Sequence, residues 1–153
     1  MNIPALRFLF LLLLNVMLAA PAFAQTTANE AQPLHDVIEK TFDALNRADT
    51  AALKDLLTNE VHFFEYGESW DMERVRKIAL KSAETPGFHR VDSFDYVQTK
   101  QSGNAAWVTY YLKSDITRNG KTEAYYWMET VILVKEKGRW RLDVLHSTRL
   151  EKK

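Results

Sequence analysis

The chain has 153 residues, 46% apolar and 26% charged, with five Gly, four Pro and no Cys. That composition suits one globular domain and excludes collagen-like, disordered and disulfide-stapled classes. Twenty basic residues balance twenty acidic ones, so no net field draws nucleic acid or an anionic membrane surface.

The first segment stands apart, because Arg7 is its only charged side chain before Gln25. Phe8 to Leu14 is an unbroken apolar run, interrupted by Asn15 and resumed from Val16 to Ala20. Arg7 precedes it, and Ala22-Phe23-Ala24 follows as a small-residue cleavage signal. That is the three-part pattern of a secretory signal peptide, and the run is short for the ~20 residues of a spanning helix. Residues 1–24 are therefore expected to be removed. Residues 25–153 then form one domain in the periplasm or outside the cell, with no membrane attachment. With no Cys, neither a disulfide nor a lipid at the cleavage site is available, and the core alone must hold the fold.

Leu34, Val37, Ile38, Thr41, Phe42 and Leu45 recur at helical spacing and predict an amphipathic helix over residues 33–47. Asp49 and Thr50 are N-cap residues for a short second helix with Leu53, Leu56 and Leu57. Val61 to Tyr66 is β-branched and aromatic, so it reads as a strand ended by Gly67. Asp71 caps a third helix carrying Met72, Val75, Ile78 and Ala79, stopped by Pro86-Gly87. The period then changes to two. Strands are expected near 90–101, 105–117, 122–135 and 139–149, separated by Gly103-Asn104, Asn119-Gly120 and Gly138. The class is α+β, with helices on one face of a curved antiparallel meander.

Turn chemistry sets an expected register. Asn119-Gly120 as a two-residue loop pairs Arg118 with Lys121, Tyr111 with Met128 and Trp107 with Ile132. Glu136-Lys137-Gly138 as a three-residue loop pairs Val134 with Trp140, Ile132 with Leu142, Met128 with His146 and Tyr126 with Thr148. One face then collects Trp107, Tyr111, Tyr126, Met128, Ile132, Trp140, Leu142, Val144 and His146. Arg141, Asp143, Ser147 and Arg149 mark the opposite face as solvent-facing, so the first set is expected against the helices. A one-residue slip would invert every side chain.

The stretch Ala44-Leu45-Asn46-Arg47-Ala48-Asp49-Thr50-Ala51-Ala52-Leu53, with Leu56-Leu57, resembles the first helical hairpin of the SnoaL-like, or nuclear transport factor 2-like, superfamily. Glu129-Thr130-Val131-Ile132-Leu133, then Lys137-Gly138-Arg139-Trp140-Arg141-Leu142, then His146-Ser147, is similar to its last hairpin. That ending also occurs in the association domain of calcium/calmodulin-dependent kinase II. The resemblance implies a cone-shaped fold with three helices packed on a curved sheet. It leaves function open, because members include steroid isomerases, dehydratases, polyketide cyclases and oligomerisation modules.

Candidate site residues follow from the register. His146, Tyr111, Tyr126, Met128, Trp107, Tyr96 and Thr148 are expected to line a pocket between sheet and helices. His146 is its acid/base or hydrogen-bonding group, or else a satisfied core residue. In isomerase-like relatives a cavity tyrosine stabilises an enolate and a carboxylate shuttles the proton. The carboxylates this chain offers near the strand–helix corner are Glu65 and Glu68, neither of them aligned with the isomerase carboxylate. Glu129 is expected to face outward beside Tyr110. His35, His62, His89 and His146 are scattered and no HExxH occurs, so neither a metal nor another cofactor is expected. The outward set Tyr110, Leu112, Trp127 and Leu133 is apolar enough to predict a homodimer. Three functions remain: binding a small apolar or aromatic molecule, cofactor-independent acid/base catalysis on one (isomerase, dehydratase or hydrolase type), or a dimerisation module without ligand.

Overall fold

A computed structural model describes residues 27–151. The expected signal peptide, residues 1–24, lies outside these residues. The Thr27 backbone N–H and hydroxyl both donate to the Glu30 carboxylate, at 3.0 and 2.8 Å. This capping pair starts α1 at Ala28, earlier than the periodicity suggested, and carries it to Asn46 with Pro33 inside. The Asp49 carboxylate accepts from the Ala52 N–H at 2.9 Å and caps α2, Thr50–Leu56.

Strand β1, Leu57–Glu65, follows at once and is longer than expected. Tyr66 and Gly67, at φ 51° and 79°, turn it into β2, Glu68–Trp70, a strand too short to show a period in the sequence. Asp71 then accepts from the Arg74 N–H at 2.8 Å and caps α3, Met72–Ala83. Asp71→Ala is expected to lower stability by about 1 kcal/mol. A urea midpoint equal to that of the unmodified protein would show the cap to be dispensable.

The meander consists of β3 (His89–Ser102), β4 (Ala105–Arg118), β5 (Lys121–Glu136) and β6 (Arg139–Leu150). Strand β1 pairs parallel to β6, giving one open six-stranded sheet of order β2-β1-β6-β5-β4-β3. All three helices cover one face. Leu34 and Ile38 of α1, Leu53 of α2 and Val75 of α3 form a single buried cluster with Val108, Leu112, Val131, Leu133, Leu142 and Leu145 of the sheet.

The β4–β5 hairpin has the expected register, with Arg118 opposite Lys121, Tyr111 opposite Met128 and Trp107 opposite Ile132. The last hairpin does not. Lys137 and Gly138, at φ 50° and 81°, form a two-residue turn, so Glu136 pairs with Arg139. Leu142 therefore pairs with Leu133 instead of Ile132, and the expected facing of β4 and β5 is inverted, while Trp140 and Leu142 face the helices as expected. Tyr110, Leu112, Trp127 and Leu133, expected as a homodimer surface, are 8% exposed or less and form the core under the helices. Those residues cannot serve as an interface. A bulge at Asp143 adds a second shift, because Ile132 pairs with Val144 while Leu133 pairs with Leu142.

Candidate functional site

With the faces inverted, most of the expected pocket residues lie on the open side of the sheet. Tyr111, Met128 and Thr148 form a row across β4, β5 and β6, and His146 sits one step away opposite Thr130. Tyr111 and Met128 are 45% and 48% exposed, and His146 faces the Phe64 ring at 6.4 Å. Trp107 and Tyr126 share this outer face, paired with Ile132 and Lys113. Only Tyr96 points inward. It stacks on His35 at 3.6 Å and donates to Glu39 at 3.1 Å, beside α1 and away from the cavity.

The sheet and helices instead enclose a different cavity, of about 370 Å³. Phe42 and Asn46 of α1 and Val75, Ile78 and Ala79 of α3 form its helical wall. Phe63, Ile116, Trp127 and Leu145 form its sheet wall. Glu65 and Glu129 are set into these apolar surroundings, while Arg118, Tyr125 and Arg149 stand towards its opening. The size falls within the ~300–1,000 Å³ typical of small-molecule sites.

Glu129 is the residue whose role the sequence reading missed. It was assigned outward, yet it is 3% exposed and points in with Trp127 and Val131. The Ser147 hydroxyl donates to its Oε1 at 3.1 Å. Burial, reinforced by the Glu65 charge, pushes the Glu129 carboxyl up to about 7 against the pull of Tyr110, Ser147 and Arg90. Burial likewise raises Glu65 to about 7, opposed by Ser147 and Arg90. Tyr110 lies beside Glu129 and its phenol is held well above the usual range by burial and that carboxylate, so it stays neutral. Neither the Tyr110 hydroxyl nor Glu129 Oε2 has a partner within hydrogen-bond geometry among the described residues. Glu68, the other carboxylate considered, accepts from Trp70 and Arg74 at the surface and lies outside the cavity.

Arg90 is a held cation that lines the same cavity as both acids. Its Nε donates to Asp92 Oδ1 at 2.7 Å, and Asp92 accepts from Asn46 at 2.9 Å and from Ser114 in a short bond. The guanidinium also lies over Phe42 and Trp127, at 5.2 and 5.8 Å. Two carboxyls whose pKa values are both raised towards neutrality can hold one proton between them, the arrangement acid/base chemistry requires. Among the described residues no three His, Cys, Asp or Glu side chains gather into a group able to hold a metal ion.

A curved sheet covered on one face by three helices is the nuclear transport factor 2-like fold. More particularly, the chain belongs to the SnoaL-like domain family, whose model matches residues 34–148. Similar solved structures include a ketosteroid isomerase-like protein from Erwinia carotovora atroseptica SCRI1043. It superposes with a TM-score of 0.62 at 20% identity, over 82% of this chain and 100% of that one. A nuclear transport factor 2-like protein from Cytophaga hutchinsonii ATCC 33406 gives 0.64 at 19% identity, over 79% and 98%. A calcium/calmodulin-dependent kinase II association-domain-like chain from Exiguobacterium sibiricum 255-15 gives 0.66 at 12% identity, over 85% and 99%. At these identities the likeness is one of fold. No curated protein matches the chain.

Proposed function

We propose that the protein is an exported acid/base enzyme that binds a small apolar molecule in this cavity and moves a proton on it. One observation carries the reading: Glu65 and Glu129 line the same largely apolar cavity, with Ser147 hydrogen-bonded to Glu129 and the Arg90 cation lining the cavity beside them. A pair held near half-protonation can take a proton from a carbon beside a carbonyl and return one elsewhere, without either group leaving its titration range. Simple binding of an apolar molecule needs the walls but not two buried acids, whose desolvation works against folding. The ketosteroid isomerase-like neighbour supports the same chemistry. The Arg7-led apolar run and Ala22-Phe23-Ala24 support removal of residues 1–24 and release into the periplasm or beyond.

The test is proton exchange in D2O, followed by NMR on enolisable apolar ketones such as 2-acetylnaphthalene and a β,γ-unsaturated ketosteroid. The protein is expected to exceed buffer-catalysed exchange, and Glu65→Gln or Glu129→Gln to remove about 100-fold of the acceleration. Binding is followed separately by quenching of Trp70 and Trp127, which line the cavity. Saturable binding without exchange above buffer would reduce the protein to a binding module.

A further inference from the structure

The opening of the cavity carries two cations that the folded chain does not use. The Arg149 guanidinium lies over Tyr125 at 4.2 Å and over Trp127 at 5.1 Å, and Arg118 lies over Phe88 at 5.9 Å. All of these residues line the cavity. Arg90, the third arginine there, is neutralised by Asp92 at 2.7 Å. No ion pair within 4.0 Å engages Arg118 or Arg149 among the described residues. Glu123 stands near Arg118, but its two oxygens accept from Lys121 at 2.6 Å and Tyr125 at 2.5 Å. The Arg149 guanidinium rests on two aromatic faces and Arg118 lies near a third, which leaves their donor edges free for a planar anion.

Depth separates these cations from the acids. Glu129 is buried, whereas Arg118 and Arg149 are exposed. Along β5, Tyr125 lies four residues from Glu129, roughly 13 Å at ~3.4 Å per residue. A molecule reaching from the arginines to the acids therefore presents an anionic end at the mouth and an apolar body to Phe63, Val75 and Ile78.

We infer that the cavity selects a flat apolar molecule bearing a carboxylate-type anion, which Arg118 and Arg149 hold at the mouth while the body extends towards Glu65 and Glu129. This rests on the cavity being the ligand site, as proposed above, and names the class of substrate it accepts. The reacting carbon then lies at the end of the molecule remote from its anion.

The test compares naphthalene-2-carboxylate with naphthalene-2-carboxamide, matched in shape and differing in charge, by calorimetry at pH 7 and low salt. The carboxylate is expected to bind at least tenfold more tightly. Arg118→Gln/Arg149→Gln should abolish that preference while the carboxamide Kd stays within twofold. Added salt should weaken only the carboxylate. Circular dichroism of the double variant checks its fold, and Arg149→Lys, which keeps the charge but loses the planar stack, should retain part of the preference. Equal binding of the two probes, or an undiminished preference in the folded double variant, overturns the anion site and leaves the cavity reading intact. Failure of both probes to bind at millimolar concentration overturns both.

Discussion

Leu133→Asp is expected to abolish folding, whereas Ile132→Asp on the next residue of the same strand is expected to leave the fold intact. Leu133 is fully buried against the helices and Ile132 is 40% exposed on the opposite face. Truncating a buried leucine alone removes about 2–5 kcal/mol, and placing an unpaired carboxylate in the space adds several more. That sum reaches the ~5–15 kcal/mol total stability of an ordinary domain. Circular dichroism and the yield of soluble protein read the outcome. If Ile132→Asp unfolds and Leu133→Asp melts like the unmodified protein, the sheet faces the other way.

Stability should also fall as pH rises, the reverse of what paired surface carboxylates produce. A carboxyl whose pKa is raised on folding binds its proton more tightly in the folded state. Stability is then greatest below the unfolded value of 4.5 and declines as pH climbs through about 7, where Glu65 and Glu129 ionise. For Glu129 the full change is about 3 kcal/mol. The groups facing the pair are Arg90 from β3, Tyr110 from β4 and Ser147 from β6. The lining residues of α1 and α3 include no ionisable side chain. Glu30 and Glu123, lowered by their hydrogen bonds, act in the opposite sense but are fully exposed. Urea midpoints at pH 5, 6, 7 and 8 should therefore decrease. Glu129→Gln should flatten the decline and be the more stable form at pH 8. A midpoint that rises with pH would mean that the pair is already ionised in the folded protein.

The elements were legible where the signal was local. Helical spacing marks α1, Asp49 and Asp71 are caps in both readings, and Asn119-Gly120 sets the β4–β5 register correctly. Of the site only Glu65 was, because the rest of its lining on the sheet depends on one turn. Counting Glu136 into the last loop moves Leu142 from Leu133 to Ile132, and with it every inward residue of β5 changes sides. The sequence held a warning in Tyr125, Trp127, Glu129, Val131 and Leu133, where a single carboxylate interrupts an otherwise apolar alternation. A buried acid reads there as readily as a solvent-facing strand. Arg149 misled for a related reason. Its charge suggested water, whereas its guanidinium rests on Tyr125 and Trp127 at the lip of the cavity. The capping pair of Thr27 and Glu30 is a local signal of the same kind as Asp49 and Asp71.

The bulge at Asp143 makes β6 a counter as well as a wall. Leu142 faces the helices, and a regular strand continued from it would turn Val144, His146 and Thr148 the same way. The added residue advances the phase, so Leu145, Ser147 and Arg149 face inward instead. One residue thus turns a serine and an arginine to the helix-covered side, the serine to hold Glu129 and the arginine to line the cavity, over a histidine and a threonine that stand beside them in the chain. On this scaffold the chemistry offered to a ligand can be rewritten by the length of a strand, with every side chain around it unchanged.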